Sequence, residues 1–139
     1  MTTASTPSRP IDHRSRAAGG RLLRPVLLAD AAVTGLNGIA YLALSGVLGD
    51  AFGIPATVLV VLGALLVLVA VTILVIVSRK PIPRTGVLAI AALNTAWVLA
   101  SIGYAVAGAL TAWGLAWVLL QAAVVAVFAA LQWRLSPTS

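Results

Sequence analysis

The sequence predicts an all-α integral membrane protein, a four-transmembrane-helix bundle built from two antiparallel hairpins with both termini cytoplasmic. Three observations predict it. Of 139 residues, 61% are hydrophobic and 9% charged. A soluble domain carries roughly 25% charged residues, so this chain cannot cover a water-facing surface. Four apolar stretches reach the ~20 residues that cross a bilayer as a helix. All 9 Lys and Arg residues lie in the N-terminal segment, the middle loop or the C-terminal end. Four crossings put those regions on one side, which the positive-inside rule makes the cytoplasm. The cell (inner) membrane is therefore the expected location, and one domain suffices. A net charge of +6 and a pI of 11.5 would suggest nucleic acid in a soluble protein. Membrane orientation accounts for the charge here, and no nucleic-acid partner is expected.

Residues 1–20 are rich in Thr, Ser, Pro, Arg and Gly without an apolar period. They read as a disordered basic cytoplasmic tail whose arginines can rest on anionic headgroups. The apolar stretch that follows exceeds the roughly 7–15 residues of a signal-peptide core, so no cleavage is expected. The transmembrane domain is placed at 21–135, with a short tail at 136–139.

Helix one is expected over 25–48, with Pro25 in its first turn and Arg24 at the interface. Gly46, Gly49, Asp50 and Gly53 end it. Helix two, over 55–77, is opened by Gly53-Ile54-Pro55 and is almost purely Val, Leu, Ala and Ile. β-Branched residues disfavour a helix in water, but lipid requires every backbone group to be bonded internally. Pro81, Pro83, Arg79, Lys80 and Arg84 hold the next loop at the cytoplasmic face. Helix three is expected over 87–109, with Gly103 and Ala107 as a small-residue pair that lets a neighbour approach. The few residues around Thr111 allow only a hairpin into helix four, over 113–133. Trp113 and Trp133 fall where interfacial aromatic belts lie. The halves repeat weakly. Gly35-Leu36-Asn37-Gly38 aligns with Ala92-Leu93-Asn94-Thr95, and Leu62-Gly63-Ala64 with Leu120-Gln121-Ala122. A parallel duplication and shared membrane composition both explain those matches.

Polar residues repeat at helical spacing inside the spans. Asp30, Thr34, Asn37 and Tyr41 are four, three and four apart, so they share one face of helix one. Asn94, Trp97, Ser101 and Tyr104 do the same on helix three. Trp117 and Gln121 do so on helix four, and Phe128 and Gln132 continue their face. Lipid satisfies none of these groups, so the faces turn inward to form a polar seam. One reading is structural: interhelical hydrogen bonds worth about 0.6 kcal/mol each. The other is a ligand site. In it Asp30, Thr34, Asn37, Tyr41, Asn94, Ser101 and Gln121 orient a quinone, isoprenoid or other lipid, and Trp97, Tyr104 and Trp117 supply flat walls.

The chain has no cysteine and a single histidine, His13, in the tail; its carboxylates Asp12, Asp30 and Asp50 are scattered. No catalytic triad, metal site or cofactor is expected. Asp30 is the one acidic residue within a span. It reaches cytoplasmic water, pairs with Arg84 or Arg134, or serves as the acid/base of a membrane enzyme or proton-coupled transporter. Four spans with an acid in helix one resemble the small multidrug-resistance proteins. Their acid is a glutamate near the membrane centre, whereas Asp30 is placed shallower.

The region Gly38 to Gly63, with its turn Gly49-Asp50-Ala51-Phe52-Gly53-Ile54-Pro55 ahead of an apolar helix, resembles small four-span bacterial inner-membrane proteins, broadly DoxX-like. The Lys-poor, Ala/Val/Leu/Arg-rich composition is similar to that of actinobacterial chains. Some DoxX-like proteins are similar to accessory subunits of quinone-linked oxidoreductases. The resemblance thus implies a lipophilic ligand or a membrane-protein partner, and it carries over no catalytic residue. Beyond membrane lipid, the expected partners are such a small molecule, a membrane partner or a second copy of the chain.

The orientation is tested with single cysteines at Ser5, Asp50 and Thr85 in this cysteine-free chain. In sealed cells an impermeant maleimide is expected to label only the Asp50 site. Labelling at Ser5 or Thr85 reverses the topology.

Overall fold

Lipid offers no partner to a backbone N–H or C=O, so an apolar stretch that crosses it closes its hydrogen bonds as a helix. The computed structural model describes residues 4–5 and 11–138 and contains α1 (Ile11–Ala43), α2 (Ser45–Phe52), α3 (Ala56–Ser78), α4 (Arg84–Ala107) and α5 (Ala112–Leu135). The stretch Gly19–Ala43 of α1, and the whole of α3, α4 and α5, are long and apolar enough to cross a membrane. Most of each span faces outward, as lipid-facing helices do.

The start of α1 differs from expectation. Residues 11–20, expected as disordered tail, are helical, and Pro25 lies inside α1 rather than in its first turn. The rest of that tail, 1–3 and 6–10, lies outside the described residues. Arg, Ala and Leu around Pro25 are strong helix formers. Leu23 and Leu27, one turn apart across the proline, are both buried. Continuous burial on one face thus carries the helix through the donor that Pro25 lacks. Arg24 donates to the Val77 carbonyl at the end of α3, at 2.6 Å.

The far end of α1 also differs. The helix breaks at Leu44 (φ −120°, ψ 22°), and the expected last turn becomes the separate α2. Gly53 ends α2 in the left-handed region (φ 72°), and the Ile54 N–H closes back on the Gly49 carbonyl at 3.0 Å. The Thr111 N–H donates to the Phe52 carbonyl at 3.1 Å. The Thr111 hydroxyl donates to the Ala51 carbonyl at 2.6 Å and accepts from the Gly114 N–H at 3.0 Å, capping α5. The two turns at this end are thereby bonded to each other.

α1 packs most extensively on α3, and α4 on α5, giving two antiparallel hairpins joined mainly through α1 and α5. The first hairpin rests on one close crossing. A Cβ placed on Gly38 would stand 2.8 Å from the Gly63 carbonyl, and one on Gly63 would stand 2.8 Å from the Gly38 carbonyl. Gly103, expected to admit a neighbour, has open space around it. The small-residue approach is made by Gly38 and Gly63 instead.

Two apolar layers fill the bundle. Leu23, Leu27, Ile73, Val77, Val87 and Ile90 form one near the basic end, where α3 and α4 meet. Tyr41, Ile54, Leu59 and Leu66 form the other toward the α2 end, with Trp97 and Phe52 against it.

Gly38→Val is expected to destabilise the protein by about 1–3 kcal/mol or more, since the added atoms meet backbone that cannot step aside. Gly103→Ala is expected to be neutral or to stabilise by up to about 1 kcal/mol, the helix-propensity difference. Reversible unfolding of the purified protein in mixed detergent micelles measures both.

Candidate functional site

Asp30 is fully buried. The helical periods of three elements bring neutral donors onto its carboxylate. Thr34, one turn on in α1, donates to Oδ1 at 3.0 Å. Asn94 of α4 donates from Nδ2 to Oδ2 at 2.7 Å, and Gln132 of α5 donates from Nε2 to the same oxygen at 2.5 Å. Asn94 Nδ2 also donates to Gln132 Oε1 at 2.9 Å. Three side chains from three helices thus converge on one carboxyl group. Among the described residues every fully buried side-chain nitrogen or oxygen has a partner.

This arrangement corrects the two bland expectations for Asp30. It does not open to water at the basic end, because Leu23, Leu27, Val77 and Val87 lie buried on that side. Nor is it held by Arg84 or Arg134, since its hydrogen-bond partners among the described residues are all uncharged. By spacing Gln132 only continues the Trp117–Gln121 face; in the structure it is fully buried and completes the cluster. The signal for it was present. Gln132 lies eleven residues, three helical turns, beyond Gln121.

A second polar cluster lies toward the α2 end. The Tyr41 hydroxyl accepts from Trp117 Nε1 at 2.9 Å and from Gln121 Nε2 at 2.8 Å, tying α1 to α5. The Trp117 ring stacks on Phe52, with centroids 5.7 Å apart and planes 15° apart.

Two spaces adjoin these clusters. The first is a cavity of about 40 Å³ whose polar wall is Thr34, Asn37, Asn94 and Gln121. It exceeds the roughly 10–15 Å³ that one water requires and falls far below the 300–1,000 Å³ of ligand pockets. The second is a groove of about 210 Å³ between α3 and α4, lined by Tyr41, Leu59, Leu62, Trp97, Ser101 and Tyr104. The ten residues expected in one seam are therefore divided. Asp30, Thr34 and Asn94 belong to the carboxylate cluster, and Tyr41, Trp117 and Gln121 to the tyrosine cluster. Trp97, Ser101 and Tyr104 line the groove. Asn37 is half-buried at the small cavity, and none of its side-chain atoms has a hydrogen-bond partner among the described residues.

No protein-family model matches the chain, and neither a curated protein nor a solved structure is found to be similar to it. Among the described residues no group of three His, Cys, Asp or Glu side chains is placed to hold a metal ion.

Gln132→Leu removes a hydrogen bond to a buried carboxylate and is expected to cost about 1.5–3 kcal/mol. Asn37→Leu removes none and is expected to cost less than about 1 kcal/mol. Parallel unfolding titrations of the two variants check that order.

Proposed function

We propose that the protein is a cell-membrane binding protein that takes the head of a lipophilic small molecule from the bilayer into the groove between α3 and α4, without chemistry of its own. The groove of about 210 Å³ carries this reading. It is too small for a whole drug-sized ligand, but it opens along the side of the bundle, so a lipid tail can stay in the acyl layer while the head enters. Trp97 and Tyr104 offer flat apolar faces, and Ser101 and Tyr104 offer hydroxyls that can donate to a carbonyl or ether oxygen. A quinone head meets both requirements, and an isoprenoid tail would stay in the acyl layer. The resemblance to small DoxX-like proteins makes that class the first to test. The distribution of Lys and Arg supports an orientation with both termini and the α3–α4 loop cytoplasmic.

Native mass spectrometry from mild detergent is expected to show a retained lipophilic molecule that is absent from Ala100→Trp, in which an indole fills the groove. Ala100 lines the groove and is exposed, so the variant is expected to fold. Retention of the same molecule by a folded Ala100→Trp variant refutes the assignment.

A further inference from the structure

The helix ends that meet at the basic end of the bundle carry Arg21, Arg24, Arg79, Lys80, Arg84 and Arg134. Neither Asp30 nor Asp50 offsets them. Asp30 is enclosed in its own cluster, and Asp50 lies in α2 at the opposite end. The N-terminal segment adds Arg9, Arg14 and Arg16 against the single acid Asp12, so the excess stands whatever Asp12 meets. Membrane orientation accounts for the side on which such charges lie. It calls for no hollow among them, yet there is one.

A cleft of about 480 Å³ opens between the early part of α1 and the end of α5, and Gly19, Gly20, Leu23, Arg134, Leu135 and Thr138 line it. Two glycines keep it open. A Cβ on Gly19 would face Leu135 at 3.7 Å, and one on Gly20 would meet nothing within 4 Å. The floor is apolar: Leu23 is buried and Leu135 half-buried. The rim is polar: Arg134 and Thr138 are exposed. The Ser136 hydroxyl is engaged elsewhere, donating to the Trp133 carbonyl at 3.1 Å. Leu22 and Trp133, beside these residues on the two helices, are 55% and 48% exposed. Large apolar side chains uncovered next to arginines mark the boundary between acyl layer and headgroups.

An apolar floor beneath a guanidinium and a hydroxyl, at headgroup depth, fits the phosphate and glycerol of a phospholipid. A guanidinium meets a phosphate through two parallel N–H donors. The glycerol ester region rests on Leu23 and Leu135, and the surrounding cations add attraction at longer range. A zwitterionic headgroup brings its own ammonium, which those cations repel. We propose that this cleft is a binding site for one anionic phospholipid, with Arg134 on its phosphodiester. The site lies toward the opposite end of the bundle from the groove and does not depend on the groove holding a ligand.

The test uses the full chain in neutral detergent, with thermal unfolding followed as phosphatidylglycerol, phosphatidylcholine or inorganic phosphate is added at constant ionic strength. A ligand of the folded state raises the midpoint saturably. A rise of several degrees is expected with phosphatidylglycerol and not with the other two. Arg134→Gln removes the charge in the cleft, and Gly19→Leu fills the cleft without changing any charge. Each is expected to raise the half-saturating amount of phosphatidylglycerol by about tenfold or more. Arg79→Gln removes a charge at the same end but outside the cleft, and is expected to raise it by no more than about fivefold. Equal midpoints with phosphatidylglycerol and phosphatidylcholine overturn the proposal. So does an equal rise with inorganic phosphate, which assigns the cleft to a free anion. A rise that a folded Gly19→Leu variant leaves unchanged also overturns it, because a diffuse basic surface gives that result. If Gly19→Leu does not fold, equal effects of Arg134→Gln and Arg79→Gln decide against the site in the same way.

Discussion

A carboxylate removed from water inside a bundle that faces lipid has to be met by donors, because neither the acyl layer nor an apolar core can hold it. Asp30 is met from three helices at once: Thr34 on its own α1, Asn94 on α4 and Gln132 on α5. Interhelical hydrogen bonds in membranes are individually modest. Here three converge on one buried carboxyl group, so they act together. The cluster therefore sets the register of α1 against the α4–α5 hairpin. A helix sliding by one residue would leave a buried carboxyl group short of partners.

α3 takes no part in that cluster and is held by a different force. It is the most uniformly aliphatic span, and an aliphatic surface gains little by leaving lipid. Its attachment to α1 runs through the Gly38–Gly63 crossing, where the backbones approach too closely for any side chain. Dispersion between closely apposed backbones replaces the hydrophobic effect that drives packing in water. α1 is thus the shared partner, bonded to α4 and α5 by polar groups and packed on α3 by shape. No comparable device joins α3 to α4 near the α2 end, and there the groove opens.

Much of this was legible in the sequence. The 4-3-4 spacing of Asp30, Thr34, Asn37 and Tyr41 placed them on one inward face, and α3, α4 and α5 lie within a few residues of their expected bounds. Periodicity says which face a residue occupies but not its depth or partner. Asp30 and Tyr41 share a face of α1, yet they lie in separate clusters with separate partners. The helix ends depart from expectation for local reasons. A proline's usual place is a first turn, whereas buried leucines on both sides carry α1 through Pro25. Gly46 and Gly49 are expected to end the first span, whereas the chain there winds one further short helix before Gly53 stops it. The Gly38–Gly63 crossing is not legible, because one sequence does not show which glycine of one span meets which of another.

The cavity and the groove are not isolated from each other. Trp97 lines both. Gln121 lines the cavity and donates to Tyr41, which lines the groove. In the proposed reading, a flat head that entered the groove would meet both the Trp97 indole and the Tyr41 hydroxyl, to which the Gln121 amide donates. The two polar clusters flank these spaces. The cluster around Asp30 holds Asn94 by both its N–H groups, and the stack of Phe52 on Trp117 steadies the far end. Trp97 is the half-buried side chain between them that touches both spaces.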